Sequence, residues 1–269
     1  MLIFKLCRQF NKAKPTLREI AALAGQCPQR VEEGAAHLVS LGSSVQYCYY
    51  TLLVDAFLGK KGGLVVDWGG QYGHVTTLLQ NEGYQAECYF LRPPANFDTF
   101  QRTFKFPYTC GCPSEKTKLP YKTDSALAVI SSGVLEHVRE SGTTETDSLN
   151  EIFRVIKPGG YLFVWNLPKR AGFPELIKRL MGKWHHPFKY TLTSVKQLLR
   201  TAGFEVVFSD SHEFLPIGAR RIAERMAIPP WFIFEMDYLL SKIPPFSLLS
   251  QHITIVARKP QACGESQIA

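Results

Sequence analysis

GLVVDWGGQYGHVTTLL, residues 63–79, is the stretch on which the reading of this chain turns. Leu64, Val65 and Val66 have strand character and run into Asp67. Gly69, Gly70 and Gly73 then crowd a short bend, and a helical pattern follows. Glycine takes positive φ without strain and lets backbone come close to a ligand. A helix that opens on such a bend points its N-terminus into it. The dinucleotide fingerprint is G-x-G-x-x-G, but the spacing here is G-G-x-x-G with an acid at the strand end. A carboxylate is a poor neighbour for phosphate, and no G-K-[ST] follows to make a Walker loop. The acid suits a cationic ligand better, such as one carrying an amino group and a sulfonium. The same bend also reads as nothing more than a tight strand-to-helix turn.

Strands and helices alternate outward from this stretch. Strand segments are expected at 64–67, 85–91, 104–109, 126–131, 161–166, 204–209 and 252–258, and helices near 73–82, 145–156 and 193–202. Near-continuous apolar strands separated by helices predict a parallel sheet covered on both faces. The fold class expected is α/β: a doubly wound, seven-stranded, mostly parallel sheet with an N-terminal helical cap and a C-terminal lid insertion. The domain reading is a cap over 1–44, a main domain over 45–260 with insertions at 167–190 and 211–250, and a flexible tail at 261–269. Within the cap, residues 16–41 read as two short helices, the first capped by Thr16 and the second following Gly25 and Pro28. This pair is shaped like a helix-turn-helix. Glu32 and Glu33 on its second helix, however, are poor company for phosphates.

The chain has 269 residues, 45% of them hydrophobic, and a formal charge of +8. That composition is ordinary for a folded protein. The charge points to anionic partners or simply to solubility. No apolar run reaches the length of a membrane-spanning helix, and the opening MLIFKLCRQFNKAK does not read as a signal peptide. Seven scattered cysteines argue for a reducing compartment rather than a disulfide framework. Cys110 and Cys112 make a C-x-C pair, but nothing nearby completes a zinc site, so no metal is expected.

Two further motifs lie in order behind the bend: VISSGVLEHV, residues 129–138, and IKPGGYLFVW, residues 156–165. With Asp67–Gly73 they resemble the class I S-adenosylmethionine-dependent methyltransferases whose fourth strand ends in a VLEHV-type motif. LTSVKQLLRTAGFEVV, residues 192–207, is similar to that family's following helix and sixth strand. The resemblance covers about residues 45–210 and the last strand. It implies S-adenosylmethionine as cofactor, held by Asp67, Gly69, Gly70, Gly73 and Ser132, with Glu115 toward the adenine. In Lys157-Pro158-Gly159-Gly160, Pro158 presets a turn and Gly159 supplies its positive φ, a structural role.

The chain departs from the family pattern at two places. Gln71 stands where the family has its middle glycine, so a side chain there either crowds the ligand or points away. The second strand ends in Phe90-Leu91 without the acid that holds the ribose, and Glu87 lies earlier in that strand.

Methyl transfer draws on orientation and a dry site, and an oxygen nucleophile often needs a base. His137 is the first candidate for that base, with Glu136 to orient it or to line the pocket. His185, His186 and Tyr190 are secondary candidates. Lys169, Arg170, Lys178, Arg179, Lys183 and Lys189 make the first insertion basic, fit to grip a substrate phosphate or lipid headgroups, or only a solvated face. Trp231, Phe232, Phe234, Tyr238, Leu239 and Leu240 in the second insertion read as a lid, a dimer face or a shallow membrane contact, with a lid packed on the domain the favoured reading. The resulting expectation is O-methylation of a small, glycan- or lipid-linked acceptor, an anionic one included. The state expected is monomer or homodimer, cytoplasmic, with peripheral contact at the inner membrane face. The alternatives are an inactive member of the fold that only binds, and a nucleic-acid-binding module. No specific nucleic acid is expected, since the fourth strand lacks a D/N-P-P-Y/F ending.

Overall fold

Val65 and Val66, Ala126 to Ile130 and Leu162 to Trp165 are all buried, as the apolar runs require of strands covered on both sides. The computed structural model describes residues 2–26, 37–59, 62–182 and 187–261. Its seven strands are β1 (Leu64–Trp68), β2 (Gln85–Phe90), β3 (Tyr108–Cys110), β4 (Ala126–Ser132), β5 (Ile156–Pro168), β6 (Glu205–His212) and β7 (His252–Arg258). They form one sheet in the order β3-β2-β1-β4-β5-β7-β6. Only β7 runs antiparallel, against both β5 and β6. The strand order reverses between β1 and β4, and such a reversal opens a crevice at the carboxyl ends of the strands. The glycine bend leaves β1 at that point.

The helices divide between two faces. Leu6, Phe10, Ala13, Leu17, Ile20 and Ala24 of α1 (Leu2–Gln26) join one core with Val65, Ile130 and Phe163 of the sheet. The same face carries α3 (Gln46–Leu58), α4 (His74–Asn81) and α5 (Phe97–Phe104), with the short α2 (Leu41–Ser44) before α3. The other face is covered by α6 (Glu145–Val155) and α8 (Leu192–Thr201), which bury Leu149, Ile152, Val195 and Leu199. Between β5 and α8 lies α7 (Phe173–Leu180), and between β6 and β7 lie α9 (Ile217–Arg225) and α10 (Pro230–Leu240).

Four expectations need correction. The first helix does not start at Thr16 but runs through Pro15 from Leu2. Pro15 is exposed, and the buried stripe continues across it, so tertiary burial outweighs one lost backbone hydrogen bond. Thr16 instead accepts a hydrogen bond from Asn81 at 3.1 Å. The strand expected at 104–109 is mostly absent: Phe97, Phe100 and Phe104 follow a helical period as α5, and β3 starts only at Tyr108. The fifth strand is longer than 161–166 and absorbs the Lys157-Pro158-Gly159-Gly160 turn as an irregularity, with Ala126 opposite Ile156 but Ala128 opposite Tyr161. Gly159 has the expected positive φ of 78°, and its N–H donates to the Lys259 carbonyl at 2.8 Å. The two insertions also start later than drawn, because β5 continues to Pro168 and β6 to His212. The second cap helix, with Gln29, Arg30, Glu32 and Glu33, falls largely outside the described residues, as do His185, His186 and most of the tail.

Candidate functional site

The bend is held by its own backbone. The N–H of Gly69 donates to the Tyr89 carbonyl at 2.7 Å, that of Gly70 to Asp67 and Tyr89 at 3.2 Å, and that of Gly73 to Gly70 at 2.8 Å. These amides are therefore committed and form no anion cradle. Each glycine is also required by a neighbouring side chain. A Cβ on Gly69 would lie 2.5 Å from Val134, one on Gly70 2.4 Å from Asp67 Oδ2, and one on Gly73 2.2 Å from the Phe106 ring. Gln71 resolves its own ambiguity: it sits at φ 43°, exposed, with its side chain outside the packed bend.

Asp67 is buried at the end of β1 and turns one oxygen onto α4. Its Oδ2 accepts from the Thr76 N–H at 3.1 Å and the Thr76 hydroxyl at 2.8 Å. Gly73, the N-cap of α4, has no side chain for this task, so Asp67 caps the helix from the neighbouring strand. Its Oδ1 has no hydrogen-bond partner in the protein. Burial pushes its carboxyl up to about 6, against the pull of the Thr76 bonds.

The end of β4 supplies the second acid. Val134 packs on Gly69, so the turn after β4 and the glycine bend are in contact. Glu136 and His137 follow in a 3-10 helix, Leu135–Ser141. Glu136 is 3% exposed, its Oε2 has no hydrogen-bond partner, and burial pushes it up to about 7, against the pull of His137. His137 is half-buried, and its Nδ1 lies 2.9 Å from Glu140 Oε1. Glu140, three residues on, is therefore a hydrogen-bond partner of the ring, a contact the sequence reading did not consider. Ser132 accepts from Asn166 Nδ2 at 3.3 Å across the ends of β4 and β5.

A layer that the sequence reading missed closes the same end of the sheet. His74, the first residue of α4, is buried edge-on to Tyr47 at 4.6 Å, and neither ring nitrogen has a hydrogen-bond partner. Burial lowers its pKa to about 3, so the ring is neutral. Tyr50 stacks on Trp165 at 4.6 Å and donates to Asn166 Oδ1 at 2.6 Å. His212, at the end of β6, lies 2.8 Å from the Thr254 hydroxyl, and burial lowers its pKa to about 4. The one available signal was the aromatic run Tyr47 to Tyr50, which is as consistent with core as with a site.

Other candidates stand apart. Glu115 is exposed and pairs with Lys118 at 3.3 Å. Glu87 accepts from Thr109 and, at 2.9 Å, from Tyr121, so it is committed at the far side of β2. Tyr190 is buried and donates to Glu145 at 2.7 Å, a packing role. In the basic insertion, Lys169 donates to the Ser247 carbonyl at 2.8 Å and the Ser250 hydroxyl at 3.0 Å. Among the described residues no group of three or more His, Cys, Asp or Glu is arranged to hold a metal ion.

The arrangement has a clear chemical preference. Register places Asp67 and Trp68 beside Ile130 and Ser131, so Asp67 ends β1 level with the end of β4, from which the turn bearing Glu136 departs. Buried polar atoms are nearly always hydrogen-bonded, and an exception at a strand end calls for an explanation, a bound ion or ligand being one. Two buried acids, both raised by desolvation and each with an oxygen that has no hydrogen-bond partner among the described residues, favour a positively charged group.

A model of the methyltransferase domain matches residues 45–208. Comparison with curated proteins returned no match. Among solved structures, the chain is similar to the 1,6-didemethyltoxoflavin-N1-methyltransferase of Burkholderia thailandensis, crystallised with its substrate and S-adenosylhomocysteine. Identity is 15%, the TM-score is 0.51, and 80% of this chain and 78% of that one are covered. It is similar to a Haloferax volcanii methyltransferase in complex with the Trm112 activator, at 17% identity and a TM-score of 0.55, covering 90% and 98%. It is also similar to the [4+2]-cyclase SpnF, at 18% identity and a TM-score of 0.55, covering 95% of each chain.

Proposed function

This chain belongs to the methyltransferase-domain family, and on that premise we propose that it methylates an oxygen of a small, glycan- or lipid-linked acceptor. As a member of that family it is an S-adenosylmethionine-dependent methyltransferase of Rossmann-like fold. The observation that carries the reading is the contact of Gly69 with Val134, which joins the glycine bend to the turn bearing Glu136 and His137. The residues present fit the cofactor, because Asp67 Oδ1 and Glu136 Oε2 are buried acceptors short of a cation. Asp67, the bend of Gly69, Gly70 and Gly73, Ser132 and Glu136 would hold it. Glu115 is the weakest member of this set, being exposed and paired to Lys118. When bound, S-adenosylmethionine supplies an electrophilic methyl on a positively charged sulfur.

The oxygen target follows from His137. Glu140 at Nδ1 orients the ring, and a carboxylate there favours the tautomer that carries its proton on Nδ1. A base oriented by a carboxylate is the arrangement used to accept a nucleophile's proton. His137 takes the proton of the acceptor hydroxyl, and its half-exposed ring returns it to solvent. Glu136, buried at the same turn, excludes water and holds charge toward the cofactor. The aromatic layer of Tyr47, Tyr50 and Trp165 walls the site on the side of α3.

The test has two stages. Calorimetric titration with S-adenosylmethionine and S-adenosylhomocysteine should show binding of both. Transfer of labelled methyl to lipid and glycan fractions should follow, with kcat of His137→Ala depressed by roughly 100-fold or more if the ring is the base. Binding without transfer to any oxygen acceptor would refute O-methylation, and binding of neither ligand by a folded protein would refute the cofactor site.

A further inference from the structure

The helices between β6 and β7 show apolar side chains outward as well as inward: Phe234 of α10 is buried in the core, with Trp231 and Tyr238 packed beside it. On α10 the acids Glu235 and Asp237 are buried. Asp237 Oδ1 accepts from the N–H groups of Phe214 and Leu215 at 2.9 Å each, and its other oxygen lies 3.7 Å from Arg220 Nε. Arg220 in turn pairs with Glu213 at 2.5 Å, deep in the protein. The outward face of the same helix carries Phe232, Met236, Leu239 and, in the next turn, Ile243, which are 45%, 49%, 50% and 57% exposed. Steps of four, three and four residues put these on one stripe. An ordinary surface helix buries one apolar stripe and exposes its charges, whereas α10 buries its acids along with Phe234 and leaves a second apolar stripe outward.

The neighbouring helix continues the pattern. Packed beside α10, α9 exposes Ile222 at 58% and Met226 at 69%, with Arg225 exposed on the same face. The acids of both helices are withdrawn. Glu224 accepts from the Gly42 N–H at 2.9 Å, and Glu235 and Asp237 are buried. The outward surface of the two helices is thus apolar and cationic, on a chain of net charge +8.

We propose that this face, with Ile222, Arg225 and Met226 of α9 and Phe232, Met236 and Leu239 of α10, docks on an anionic lipid bilayer. Exposed apolar patches mark interaction sites. Interfacial helices bury such a face at the headgroup level while basic side chains meet anionic lipids. Charge decides against a second copy of the chain as occupant: a two-fold contact would set Arg225 near its own copy, with every acid of these helices turned inward and unable to pair. The position suits a membrane-bound acceptor as well. β6 is parallel to β1, so its end at His212, where this stretch departs, lies at the same end of the sheet as Asp67. The docking rests on this surface alone, so its failure and the failure of O-methylation are separate results.

The experiment is co-sedimentation of the full chain with phosphatidylcholine vesicles and with vesicles that also contain phosphatidylglycerol. Binding should require the anionic lipid and weaken with salt. The double variant Met236→Gln/Leu239→Gln should lower partitioning by roughly 30-fold, since half of each side chain is still available to be buried. Arg225→Ala should lower it by roughly fivefold. All three positions are exposed, and circular dichroism checks that the variants stay folded. No binding to anionic vesicles, or undiminished binding by the double variant, overturns the proposal. So does a concentration-dependent dimer, seen by light scattering, that the double variant dissolves while the wild type ignores vesicles.

Discussion

Replacing Asp67 by Asn should make the unliganded protein more stable and its cofactor site worse, and the two effects have one cause. Burial moves the Asp67 carboxyl from its ordinary 3.8 up to about 6. At ~1.4 kcal/mol per pH unit, holding the charged form in the folded protein costs about 3 kcal/mol. The sign follows from the raised value. The native state holds this proton more tightly than the unfolded chain, so the stabilising contribution is full below about 3.8 and lost as the pH rises through about 6. Asn copies the protonated form, and its oxygen still accepts from the Thr76 N–H and hydroxyl. Asp67→Asn should therefore gain up to about 3 kcal/mol at about pH 8 and almost nothing at about pH 4. Urea denaturation at both pH values reads this directly. Affinity for S-adenosylmethionine should fall, because a charged hydrogen bond of about 1.5–3 kcal/mol is removed, a loss of roughly 10- to 150-fold. Calorimetry reads that. A gain equal at both pH values, or a loss at the higher one, would refute the strained carboxylate. Unchanged affinity would refute its role toward the cation.

Two other perturbations test the scaffold. Gly73→Ala sets a methyl 2.2 Å from the buried Phe106 ring at φ 66°, and overpacking plus the left-handed backbone together cost about 2–5 kcal/mol. A lowered Tm, partly restored by adding Phe106→Leu, is expected, and an unchanged Tm would show that the bend relaxes freely. Glu213→Gln removes the nearer of the two carboxylates that face the buried Arg220, the one at 2.5 Å, and breaking a buried pair costs about 3–5 kcal/mol. Burial by itself would raise the Glu213 carboxyl, but Arg220 and His252 overcome it and hold the group well below its ordinary range. Its contribution is therefore present above the ordinary value and lost only as strong acid protonates it in the folded state. An acid unfolding midpoint that does not move in Glu213→Gln would contradict this.

Much of the fold was legible because it rests on local patterns. Apolar runs marked six of the seven strands, with small errors at the ends of all but the fifth, which starts at Ile156, and the turn at Gly159 needed only glycine's freedom at positive φ. Errors arose where a distant contact outweighed a local signal. Thr16 reads as the cap of a first helix until α1 is seen to run through it and bury a continuous stripe against the sheet. Residues 104–109 read as a strand until Phe97 and Phe100 are found in the core.

In the candidate site the division is sharper. The chain's own order of residues determined that an acid, a glycine bend and a VLEHV turn would each end a strand, because strand ends and glycine positions follow from local chemistry. Tertiary structure alone decided what these groups do. It turned Asp67 onto Thr76 and left Oδ1 without a partner, and it set Glu140 on His137. It drew Tyr50 to Asn166 and withdrew Asp237 of α10 to Arg220 and to the backbone of Phe214 and Leu215. Apart from the His137–Glu140 pair, these contacts join residues distant in the chain. Burial and charge pairing act on distance in space, and sequence spacing does not report that distance.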